Sequence, residues 1–113
     1  MQVANLLELE TPGGSRSPVV VHSDGQARAV LIALEPGQEL GEHQVKENAY
    51  VAIVEGSARV ESGGETIEAP TGTFLAFGRD ERHAISSEGG ARLLLLLAPW
   101  PGEGHYRGEE RAL

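Results

Sequence analysis

Glycine and proline interrupt this chain so often that they leave little room for helix. Fifteen glycines and six prolines are spread over 113 residues, and the stretches between them are short and rich in Val, Ile, Leu and Ala. Inside a helix these two residues cost about 1 and about 3 kcal/mol against alanine. Short β-forming runs parted by turn signals at near-regular spacing are the mark of an all-β sandwich or barrel.

The runs are Val19–His22, Ala27–Leu34, Leu40–Val45, Ala49–Val54, Ala58–Ser62, Thr66–Ala69, Thr73–Phe77, Arg82–Ser86 and Leu93–Ala98. Glu35-Pro36-Gly37 reads as a turn, as do Glu55-Gly56, Pro70-Thr71-Gly72 and Gly78-Arg79-Asp80. Gly63-Gly64 is a two-residue hairpin signal between Ala58–Ser62 and Thr66–Ala69. After residue 12 no segment has a helical period. Asn5–Glu10 fits either one helical turn or a first strand, through Leu6, Leu7 and Leu9. The hairpin Arg59–Glu68 is polar and is expected at an exposed face. Ala49–Val54 and Leu93–Leu97 are apolar at every position, and such strands are covered on both sides. One cover is the barrel interior, and the other is expected to be a second copy of the chain. A homodimer is therefore expected.

At 12.0 kDa the chain is one domain, expected to divide into an N-terminal arm with the first strands (1–26), a barrel core (27–98) and a C-terminal tail (99–113). Cysteine is absent, which excludes disulfides, thiolate metal sites and a cysteine nucleophile. The net charge is −8, without a Lys/Arg cluster, so no nucleic-acid partner is expected. The start, MQVANLLELE, has no basic region ahead of an apolar one and is not expected to be a secretory signal. The apolar run Leu93–Trp100 is much shorter than the roughly 20 residues that span a bilayer, so no membrane partner is expected either. A small cytoplasmic domain is the expectation.

Of the four histidines, two lie in informative patterns. Gly37 is followed after five residues by His43, with twelve more residues between it and Gly56; Gly72 is followed after ten residues by His83. In these positions, and in the glycine hairpin between them, the chain resembles the cupin superfamily over about residues 27 to 98. The resemblance implies a cupin-type double-stranded β-helix, a small jelly-roll barrel. It also implies that His43 and His83 face one pocket inside that barrel. In metal-loaded cupins two histidines, a Glu or Gln and a third histidine hold a divalent ion. Here Val45 stands at the second histidine position and Ala49 at the glutamate. Gly78 and Asp80 replace the Pro and Gly of the second motif, and Ser87 the closing Asn.

Two imidazoles fall short of the three protein ligands of a catalytic zinc site. Glu47, in the turn after His43, and His105, in the tail, are the candidates for a third. Glu42 and Gln44 alternate away from His43 along a strand. His22 precedes a Ser-Asp-Gly turn and reads as a surface residue. Ser86-Ser87 lacks a nucleophile-elbow context, and Gly102-Glu103-Gly104 is no phosphate loop.

The residues leave more than one function open. The first reading is a binder of a small molecule, or of one weakly held divalent ion, with His43 and His83 as polar handles and Val45, Ala49, Val51, Ile53 and Phe77 as the apolar lining. The second is a metal-dependent enzyme, oxygenase- or isomerase-like, with an incomplete histidine site. The third is a dimeric module that partners another chain. Fold does not separate them.

Overall fold

The computed structural model describes residues 1–12, 18–43 and 46–99, with residues 41–43 given as backbone alone. Eight strands run in chain order: β1 Val19–Ser23, β2 Arg28–Leu34, β3 Glu39–His43, β4 Asn48–Ser62, β5 Glu65–Pro70, β6 Phe74–Phe77, β7 His83–Ser86 and β8 Ala91–Ala98. All pairings are antiparallel. The described residues contain no helix, as the spread of glycine and proline requires.

β4 organises the fold because it belongs to two sheets. Its first half pairs with β8 on one side and β6 on the other, and β8 continues through β2 to β1. Its second half pairs with β5 and with β7, which continues to β3. The register shifts between Ile53 and Glu55, and Gly56 follows with φ of 84°. The extra residue carries the inward phase of Ala49, Val51 and Ile53 over to Ala58 and Val60, all of them buried. Glu55-Gly56 is therefore a bend inside one 15-residue strand rather than the turn its composition suggests. Gly56 lies so close to the Gly90 carbonyl that a side chain there would overlap backbone.

The expected hairpin is present. Gly63 and Gly64, at φ of 58° and 82°, close β4 onto β5 in the register Ser62↔Glu65. Five of the six β5 residues are exposed, in line with the polar composition of this hairpin.

The interior lies between the two sheets. Val30, Ile32 and Leu34 of β2, Leu93, Leu95 and Leu97 of β8, the inward residues of β4, Ala69, Phe77 and Ile85 form one buried cluster. On β8 the alternation is strict, with buried and half-buried residues taking turns from Ala91 to Ala98. The outward residues of the two wholly apolar runs, Tyr50, Ala52, Val54, Leu94 and Leu96, are half-buried in the single chain. Asn5–Leu9 forms one hydrogen-bonded turn, with the Leu9 N–H donating to the Asn5 carbonyl (3.1 Å). Arg92 Nη1 on β8 donates to the Leu6 carbonyl (2.8 Å), which ties this turn to the first sheet.

Candidate functional site

One row of the second sheet carries both motif histidines. The β3–β7 register sets His43 opposite His83, and the β4–β7 register sets Ser62 opposite His83 on its other side. Residues directly opposite each other in an antiparallel ladder lie about 4.5–5.5 Å apart. The backbone thus brings together two histidines that lie 40 positions apart in the chain. The side chain of His43 lies outside the described residues.

The alternation of β7 turns His83 and Ile85 inward. His83 is 2% exposed. Its ring lies flat against Phe77, with centroids 4.1 Å apart and planes 9° from parallel. Its Nδ1 lies 3.1 Å from the Glu81 carbonyl. A carbonyl oxygen only accepts, so Nδ1 is the nitrogen that carries the proton. In the neutral ring Nε2 is then the acceptor.

Glu47 is also 2% exposed. It sits in the bend just before β4, two residues ahead of Ala49, which pairs with Phe77 in the β4–β6 ladder. Glu47 thus comes to the end of the barrel where His83 stacks on Phe77, the partner of Ala49. Together with Ser87, Glu47 and His83 are the polar residues buried among the described ones. Ser87 has a structural partner: its Oγ donates to the Ser57 carbonyl (2.6 Å).

The turn between β6 and β7 is held by Glu81. Its Oε1 accepts from the Gly78 N–H (3.0 Å) and its Oε2 from the Ser62 hydroxyl (3.0 Å). The Ser62 Oγ also lies 2.8 Å from the Arg82 carbonyl, the second acceptor for its one proton. The Gly78 N–H, then the Ser62 hydroxyl, hold the Glu81 carboxyl below the usual carboxylate range. Asp80 in this turn adopts φ of 60°, a left-handed conformation that Asp tolerates better than most residues. Sequence reasoning passed over Glu81 and Ser62. The Gly78-Arg79-Asp80 turn signal predicts the turn, but nothing local tells which groups the next residue will bind.

Of the expected lining residues, Ala49, Val51, Ile53 and Phe77 all belong to the buried cluster, between 0% and 6% exposed. Val45 and His105 lie outside the described residues, as does Gln44, and of Glu42 only the backbone is described. A cleft of 160 Å³ opens between β5 and β6, with Val60, Ile67, Leu75 and Phe77 as apolar walls and Ser62, Glu65 and Glu81 at its edge. Phe77 is common to this cleft and to the His83 stack. His22 is exposed, as expected of a turn-flanking residue. Its Nδ1 lies 2.7 Å from Gln2 Oε1 and its Nε2 2.8 Å from Asp24 Oδ2.

The donor set of metal-loaded cupins does not fit this chain. Ala49, at the glutamate position, has no ligating atom and is fully buried in the core. The described residues contain no group of three His, Cys, Asp or Glu side chains that could hold a metal ion.

Residues 30–99 match the family model described as Cupin domain. No curated protein matches the chain. Among solved structures, the chain is similar to TT1209 from Thermus thermophilus, at 25% identity over 88% of this chain and 98% of that one, with a TM-score of 0.77. An RmlC-like cupin protein from Desulfovibrio desulfuricans is 24% identical over 88% and 97% of the two chains, also with a TM-score of 0.77. A protein with a double-stranded beta-helix domain from Klebsiella pneumoniae is 18% identical over 90% and 94%, with a TM-score of 0.74. These likenesses concern the fold.

Proposed function

Because the chain belongs to the cupin domain family, we propose that it binds a small molecule at the barrel end where β3, β4 and β7 converge, with His43, Glu47 and His83 as polar handles. The observation that carries this reading is the burial of one carboxylate and one imidazole, each 2% exposed, at the same end of an interior whose other buried polar residue, among the described ones, is Ser87. Phe77 supports the same reading. It lays an aromatic face along His83 and borders the cleft between β5 and β6, and pockets for small organic molecules combine apolar walls with a few placed polar groups. The chain's own residues then have distinct tasks. Phe77 and its apolar neighbours exclude water from the ligand. His83, with its proton held on Nδ1, offers Nε2 as an acceptor, and Glu47 offers a carboxylate.

The metal-dependent enzyme is the second reading, and one observation favours it: Glu47, two residues before the apolar Ala49, brings a buried carboxylate to the end where His43 and His83 pair. That set differs from the family's, and no catalytic step is derived from it.

Metal analysis of protein purified without chelator, run beside a thermal-shift screen of small polar and aromatic molecules, tests the two together. The binder reading expects stabilising compounds whose effect is lost in His83→Ala, with less than stoichiometric metal. Stoichiometric metal lost in Glu47→Ala would replace it with the second reading. Full stabilisation in both variants would refute a site at this end.

A further inference from the structure

The ring of His83 stacks on Phe77 and bonds through Nδ1 to backbone, and the residue that supplies that bond is itself anchored at both oxygens of its side chain. Glu81 offers its carbonyl to His83 Nδ1 (3.1 Å), while its carboxylate takes the Gly78 N–H and the Ser62 hydroxyl, each at 3.0 Å. These anchors lie on two different elements. Gly78 belongs to the turn that carries Glu81, whereas Ser62 is the last residue of β4 and stands opposite His83 in the ladder. The Glu81 N–H closes the turn onto the Gly78 carbonyl (3.2 Å). The carbonyl that selects the His83 tautomer is therefore held from three directions, two of them through one carboxylate.

We propose that Glu81 is the positioning residue for His83: its carboxylate clamps the β6–β7 turn to the end of β4, and the clamped carbonyl keeps the His83 proton on Nδ1 and its Nε2 toward the barrel end. The functional weight of this clamp rests on His83 belonging to the binding site. The clamp itself does not. Partners one step removed from a metal-bound imidazole fix its tautomer and ring orientation, and the same physical logic holds for an imidazole that meets any other ligand. Glu81 reaches His83 across a bond that no side-chain pattern in the sequence reveals.

The test reads the ring directly. Protein labelled with ¹⁵N-histidine gives the proton position on His83 from its two ring-nitrogen shifts, at a pH where the ring is neutral. The wild type should show one tautomer, with the proton on Nδ1. Glu81→Ala should move both ring-nitrogen shifts toward those of a mixture of the two tautomers, and Ser62→Ala should move them the same way. Glu81→Gln should restore them. Its amide oxygen still accepts from Gly78, and its amide nitrogen donates to the Ser62 Oγ, whose own proton then goes to the Arg82 carbonyl. The Ser62→Ala and Glu81→Gln proteins keep the test decisive if Glu81→Ala does not fold. Wild-type ring shifts in folded Glu81→Ala, or in Ser62→Ala, would overturn the proposal. So would a wild-type His83 protonated on Nε2. Binding plays no part in this readout, so the clamp can stand where the binding site fails, and the converse.

Discussion

Replacing Gly56 with alanine should be among the most damaging single-methyl changes this protein can suffer. Two costs combine there. The backbone at Gly56 has φ of 84°, and a side chain in the left-handed region costs about 1–2 kcal/mol. In addition, an added Cβ would overlap the Gly90 carbonyl oxygen and lie 3.0 Å from Ala91 Cα. Both obstacles are backbone at the start of β8, the strand paired with β4, so relief requires β4 and β8 to separate locally. Forced overpacking of this kind costs about 1–3 kcal/mol more. Gly64 supplies the control. Its φ is 82°, and an added Cβ there meets nothing within 4 Å. Gly64→Ala should therefore carry the conformational cost alone. Urea titration of both variants at a common m-value isolates the overlap as the difference between their midpoints. With m of about 1–3 kcal/mol per molar, Gly56→Ala should unfold on the order of 1 M earlier than Gly64→Ala. Equal midpoints would refute the reading of Gly56 as a contact glycine and leave it an ordinary left-handed one.

The Asp24 carboxyl is held down to about 2 by the His22 ring, then by the Gln26 and Ala27 N–H groups. A depressed carboxylate contributes stability above its unfolded value, and that contribution is lost as pH falls through the folded one. The Asp24 share should thus fade between its ordinary value of 3.8 and about 2, with direct NMR titration of its carboxyl as the check and a midpoint near the ordinary value as the refutation. The homodimer is tested by light scattering. Two chains of 12.0 kDa should give about 24 kDa at micromolar concentration, and Phe74→Glu on the outward face, where Phe74 is 65% exposed and stacks on Tyr50, should return the single-chain mass. A single-chain mass for the wild type would contradict the pairing.

Local patterns carried much of this fold. Gly63-Gly64 is a turn because two successive left-handed residues suit a hairpin, and that information is complete within the dipeptide. The apolar run of β8 declares its buried face through period two once a core is present. Glu55-Gly56 was misleading because a turn and a strand bend ask the same freedom of glycine. What separates them is Gly90, 34 positions further on. The register that sets His43 opposite His83 leaves no mark on either strand alone; what ties the two together in the sequence is the resemblance to cupins at both glycine-to-histidine spacings. Glu47 lies in Lys46-Glu47-Asn48, which by composition is surface. Its burial is set by the fold around it, which three polar residues in a row do not announce. Glu81 is less legible still, because its link to His83 runs through a main-chain carbonyl that every residue possesses.

Native mass spectrometry of the protein as purified, beside its His83→Ala, Glu47→Gln and His22→Ala variants, tests the binding site most directly. The expected result is a small-molecule adduct on the wild type, or one acquired from the compounds that stabilise it. It should be lost or sharply reduced in His83→Ala and Glu47→Gln and kept in His22→Ala, whose ring is exposed and engaged with Gln2 and Asp24. An adduct that survives both barrel-end changes, or that disappears with His22, would contradict a site at the barrel end.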